Sequence, residues 1–173
     1  VKVDLHAELW RAMQFARHEL VAPQLVDMRL SRHVQWGIAR VEYYGPEGRR
    51  YEPRADGPAM SVIVPIVEGG DTIDLCAIEL PSQRWATRLG LGHGLGFDAV
   101  EKARFGCCDL ELVDRPLAWL RRPVDTAYLF DLREAPIALD GVAAITCSTI
   151  ELTERVQAFF PPSRRSIILA PDE

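Results

Sequence analysis

The sequence predicts one soluble domain of mixed α/β (α+β) class over residues 1–173. It comprises a helical N-terminus (1–36), an antiparallel β-meander (38–80) and an α/β part (97–170) whose strands are mostly parallel. Three observations predict it. Apolar residues near the N-terminus recur at helical spacing. Between residues 38 and 80 they alternate with a period near two, and Gly/Pro turns cut the pattern into short pieces. In the last third, continuous apolar runs alternate with helical patterns, as expected of parallel strands covered on both faces.

Leu5, Leu9, Met13, Ala16 and Leu20 fall on one helical face, so residues 4–20 read as an amphipathic helix. Glu8 adds negative charge to its first turn. Pro23 suits the first turn of a second helix that runs to about Trp36 and stops at Gly37. Ile38–Tyr44 is then a strand, Gly45-Pro46-Glu47-Gly48 a turn, and Arg49–Arg54 the returning strand of a hairpin. After the break at Asp56-Gly57-Pro58 comes strand Met60–Val67. Its Pro65 has no amide to donate and is expected at an edge or a bulge. Glu68-Gly69-Gly70-Asp71 turns the chain into strand Thr72–Leu80, which Pro81-Ser82 ends. Short turns of this kind join antiparallel neighbours.

Residues 85–89 read as a strand or short turn and lead into Gly90-Leu91-Gly92-His93-Gly94-Leu95-Gly96. Asp98 and Glu101 have capping-box spacing for a helix through Arg104, and Gly106 stops it. The last third then alternates: strand Asp109–Val113, helix Arg115–Arg122, strand Thr126–Leu132, strand Val142–Cys147, helix Thr149–Phe160 and strand Ser163–Ala170. Ile150, Leu152, Val156 and Phe159 form the apolar side of the last helix.

Composition narrows the function classes. At 48% hydrophobic and 26% charged, 173 residues build a core without a disulfide or metal staple, and disorder is excluded. A net charge of −5 argues against a generic nucleic-acid binder, which needs a basic excess. The doublets Arg49-Arg50, Arg121-Arg122 and Arg164-Arg165 leave room for a local basic patch. No run of about 18 uncharged apolar residues occurs, so no membrane span is expected. Asp4, His6 and Glu8 do not suit a signal peptide, and the cytoplasm is the expected location. Cys76, Cys107, Cys108 and Cys147 contain no CxxC pair, so reduced, partly buried thiols are expected in place of a zinc site.

Two stretches carry candidate chemistry. In the glycine run, Gly92, Gly94 and Gly96 flank His93, and a helix start follows, a combination that lets backbone amides approach a phosphate. It matches neither GxxxxGK[ST] nor GxGxxG, and the plainer reading is a tight crossing under the helix start. No carboxylate adjoins His93 in sequence, and His6, His18 and His33 form no HExxH or i, i+4 ligand pair. The second stretch is acidic. Asp114 and Asp131 stand at the carboxyl ends of two expected strands, where open parallel sheets bind ligands, and two carboxylates there suit magnesium. The plainer reading of Asp114 is an N-cap for the helix that follows.

The segment LELVDRPLAWL resembles the first motif of the toprim domain of primases and topoisomerases, in which a catalytic Glu and a Gly follow the first strand. Asp114 stands at the Glu position and Arg115 at the Gly position. SIILAPDE is similar to the strand that leads to the family's D-x-D pair, with Asp172 nearest the metal-binding position. GPAMSVIVPIVEGGDTIDL resembles the region upstream of toprim in phage-type primases, and the whole chain resembles prophage and mobile-element proteins. The replaced Glu, missing Gly and incomplete D-x-D imply a degenerate, inactive relative.

The expected function is therefore a non-enzymatic binding or accessory module of phage or mobile-element origin, without a cofactor, acting on a protein or nucleic-acid partner. The alternatives are a magnesium-dependent enzyme acting on nucleic-acid phosphodiesters through Asp114, Asp131 and Asp172, and a phosphate-ligand binder at Gly90–Gly96.

Overall fold

A computed structural model of the chain describes residues 3–18, 30–80 and 82–169. It is mixed α+β with two sheets, one a closed five-stranded barrel and the other five-stranded and mostly parallel. The chain divides into two compact units, Val1–Gly92 and His93–Glu173. No helix among the described residues is long and apolar enough to cross a membrane.

The first unit opens with α1 (Leu5–His18), which starts where Asp4 Oδ1 accepts the Ala7 amide at 3.0 Å. Residues 23–29 of the expected second helix, and Leu20 of the first, lie outside the described residues. Residues 30–36 are irregular, and Gly37 begins a strand where a helix stop was expected. The reason is packing: a Cβ at Gly37 would collide with the α1 backbone at Ala12. Only glycine lets the strand cross the helix that closely.

The strands of this unit are β1 (Gly37–Tyr44), β2 (Arg50–Pro53), β3 (Ala59–Glu68), β4 (Asp71–Glu79) and β5 (Trp85–Thr87). The two expected hairpins form, β1 with β2 and β3 with β4. The order, however, is β1-β2-β5-β4-β3 and it closes, so the unit is no open meander. β3 returns to pair with β1, and Arg50 of β2 lies beside Thr87 of β5. Closure gives every strand a neighbour on both sides, although β5 meets β2 at a single pair and β3 extends past β1 beyond Ile63. The link from β2 to β3 passes so near β1 that a Cβ on Gly57 would lie 2.7 Å from the Val41 amide nitrogen. β1 pairs with β3 only as far as Ile63, so Pro65 has a ladder partner on one side alone, Leu75, and the register shifts one step later, between Ile66 and Val67, in keeping with the edge or bulge expected of it. Val41, Tyr51, Ile63, Leu75, Ala77 and Ala86 fill the core, with Leu9 and Ala12 supplied by α1.

The second unit contains β6 (Gly94–Leu95), α2 (Phe97–Arg104), β7 (Leu110–Leu112), α3 (Pro116–Arg121), β8 (Thr126–Leu129), α4 (Ala135–Ala138), β9 (Ile145–Cys147), α5 (Ile150–Phe159) and β10 (Ile168–Leu169). Its sheet order is β10-β9-β7-β8-β6. β7 to β10 run parallel, and β6 is the antiparallel exception beside β8. Val100, Leu110, Leu112, Ala127, Leu139, Ile145 and Val156 belong to its core.

Several boundaries differ from expectation. β8 stops at Leu129, because Asp131 accepts the Arg133 amide and starts a 3-10 turn over Leu132–Glu134. The expected strand Ser163–Ala170 is a 3-10 turn over Pro162–Ile167 followed by β10, with Ala170 outside the described residues. Gly96, at φ 79°, caps α2 in place of Asp98, which instead pairs with Lys102 one turn on at 3.7 Å. The cap residue of α3 is Arg115, with Asp114 one position earlier. α5 starts as expected, with the Thr149 side chain accepting the Leu152 amide at 3.1 Å. Its Leu152 and Val156 are buried, whereas Ile150 and Phe159 are substantially exposed.

Candidate functional site

The strand order of the second unit contains a reversal that no single motif displays. After β7 the chain builds β8 on one side and then crosses to build β9 on the other. In an open parallel sheet, the carboxyl ends on either side of such a reversal form the usual ligand crevice. Asp114 follows β7 there, and Ser148 follows β9. The Ser148 amide bonds to the Leu112 carbonyl at 2.8 Å, and its hydroxyl oxygen is buried without a hydrogen-bond partner among the described residues. Ser148 escaped the sequence reading because only strand order reveals it.

The acids at this edge are already paired. Asp131 is gripped by Arg133, whose Nε lies 3.0 and 2.9 Å from the two carboxylate oxygens and whose Nη2 approaches to 2.6 Å. That fork, with the Arg133 amide, holds the Asp131 carboxyl below its ordinary range. Asp114 Oδ2 accepts Arg115 Nε at 3.1 Å. Asp114 and Asp131 thus follow neighbouring parallel strands, yet each answers to its own guanidinium. Asp172 lies outside the described residues. Among the described residues no three His, Cys, Asp or Glu side chains are grouped to hold a metal ion. The four cysteines are free, and burial raises the Cys76 thiol and pushes Cys147 up to about 11. Protonated thiols are poor metal ligands.

The glycine run proves to be closely packed backbone. Gly94 sits in β6 opposite Leu129, and a Cβ there would collide with the Tyr128 carbonyl oxygen. Gly96 adopts φ 79° with the Trp119 indole against it. Gly92 adopts φ 83° against Ile66, with a Cβ contact of 2.7 Å. His93 gains a partner the sequence did not show: Glu134, 41 positions on, lies 2.8 Å from Nδ1. The Phe97 ring lies beside the imidazole, at 5.7 Å between centroids.

The amides leading into the run serve a resident anion. Asp74 is fully buried, and its carboxylate accepts the amides of Leu75, Leu89 and Leu91 at 2.7, 2.8 and 2.8 Å. Burial raises its carboxyl above the ordinary value, against the pull of those three donors. Two amides that an exogenous phosphate would need here are therefore already given to Asp74.

A second acid of this unit is nearly buried. Glu8 of α1 receives Arg88 Nε at 3.2 and 3.1 Å, and the Tyr51 hydroxyl lies 3.5 Å away. Both charged side chains are nearly buried, at 13% and 14% exposure, and desolvation raises the Glu8 carboxyl despite Arg88. Beside this pair, between α1 and β1, β2 and β3, opens a pocket of about 430 Å³. Phe15, Ile38, Pro53 and Ile63 supply apolar wall, and Arg11, Arg40 and Arg54 bring three cations to it. The sequence reading missed this site, since its lining converges from separate elements. No family model, curated protein or solved structure matches the chain.

Proposed function

We propose that the chain is a non-enzymatic binding module of the accessory kind that phages and mobile elements carry, with a degenerate toprim-like C-terminal unit. It works in the cytoplasm on a protein or nucleic-acid partner. The observation that carries the reading is the pairing of Asp114 with Arg115 and of Asp131 with Arg133. A magnesium ion prefers free oxygen ligands, and here it would have to displace a guanidinium from each carboxylate. The position of Asp114 just beyond the first parallel strand, β7, supports the toprim-like resemblance. The free cysteines, with Cys107 exposed, suit a reducing compartment. The barrel pocket supplies the concave surface that binding requires.

Magnesium titration of the 173-residue chain by calorimetry tests this reading. We expect no saturable heat, and an Asp114→Ala chain with the parent melting temperature. Saturable magnesium binding that Asp114→Ala abolishes would overturn it in favour of a metal-dependent phosphodiester enzyme.

A further inference from the structure

The barrel pocket has a chemical bias that narrows its ligand. Its volume, about 430 Å³, suits a small organic molecule and not a single ion. The walls drawn from Phe15, Ile38, Pro53 and Ile63 offer nothing but apolar surface. Charge on the lining is one-sided. Glu8 is the sole carboxylate among the described lining residues, and Arg88 from outside the lining already compensates it. Against it stand three arginines. Arg54 is engaged by Glu42 and Asp56, and Arg40 reaches the Gly57 carbonyl at 3.4 Å. Arg11 is exposed and hydrogen-bonds to no described side chain; its charge acts on Glu8 through space only, and Glu8 is already held by Arg88, so the Arg11 guanidinium is open to an incoming anion.

We propose that this pocket binds a small amphipathic monoanion, an apolar body carrying one carboxylate or phosphate, with the body against the apolar wall and the anion at Arg11. The wall supplies affinity through apolar burial, and the guanidinium supplies orientation through a charge-assisted hydrogen bond. A cation of the same shape would place its charge against the Arg11 guanidinium and bind more weakly. The proposal rests on the binding-module reading, but the two fail separately: magnesium titration reports on the C-terminal acids, and ligand titration reports on the barrel.

Calorimetric titration of the 173-residue chain with decanoate tests it, with decyl phosphate as the second anion and decylamine as the charge-reversed control. We expect saturable binding of one or both anions and none of the amine; which anion binds tighter distinguishes a carboxylate from a phosphate ligand. Arg11→Ala, on an exposed helical position, should weaken binding about tenfold, the loss of one charge-assisted contact of roughly 1.4 kcal/mol. Ala55→Trp, at an exposed turn residue on the pocket lining, should block it while leaving the melting temperature unchanged. Equal binding of decylamine, no binding of either anion, or anion affinity unchanged in both variants would overturn the proposal.

Discussion

The two units treat their carboxylates in opposite ways. The barrel unit buries Glu8 and Asp74 and raises both above their ordinary values by desolvation. The C-terminal unit keeps Asp114 and Asp131 at its surface beside arginines close in sequence, and Asp131 is lowered. A buried acid must bring its own donors, because an unpaired charge in a low-dielectric interior is prohibitively costly. Asp74 therefore recruits three amides and pins the chain from Leu89 to Leu91 against β4. A surface acid is free to trade partners with water. The acids with the greatest structural weight are thus the ones no catalytic motif pointed to.

That contrast can be broken by measurement. The largest effect is expected at Asp74. Asp74→Ala leaves three amide donors without their acceptor, and at about 1–3 kcal/mol for each that stays unsatisfied the loss should be about 4 kcal/mol in urea unfolding. Asp131→Ala should cost less than about 1 kcal/mol, as usual for a surface pair. Comparable losses at the two sites would erase the distinction between the units.

Arg88→Ala should come next, at about 3 kcal/mol, because it strands Glu8 in a nearly buried position. A loss below about 0.5 kcal/mol would mean that the pair is solvated.

The smallest effect lies in pH dependence, and its sign separates the units. Asp74 holds its proton to higher pH in the folded protein than in the unfolded chain, whose ordinary value is 3.8. The stability this contributes is fully present below 3.8 and is lost as pH rises through the raised folded value. Glu8 behaves alike, starting from 4.5. Asp131 is the reverse: its stabilisation is present above 3.8 and is lost as pH falls through the lowered folded value. Between about pH 3 and 7, the stability gap between parent and Asp74→Asn should shrink as pH rises, whereas the gap for Asp131→Asn should widen. Slopes of the same sign would contradict the opposed environments.

Local signals were legible where structure is local. The helical stripe through Leu9 and Met13, the hairpin around Gly45–Gly48, the helix start near Thr149 and the parallel alternation after residue 109 all depend on neighbours within a few positions. The caps assigned to Asp98 and Asp114 failed because nearby residues, Gly96 and Arg115, took the cap positions. The glycine run looked like an anion cradle because spacing alone cannot distinguish room for a ligand from room for one's own backbone. Gly94 against the Tyr128 carbonyl and Gly96 against the Thr126 carbonyl show the second use.

By itself, the sequence determined the secondary-structure periods, the mixed fold class and the acidic positions at strand ends, because these follow from side-chain patterns along the chain. Only the tertiary structure decided that the first sheet closes, that Asp74 lies buried under three amides, and that Glu8 meets Arg88 80 positions away. It also decided which carboxylates remain available and that a pocket opens beside α1. Each of these depends on segments distant in sequence meeting in space, and no local pattern encodes which partner a charge will find.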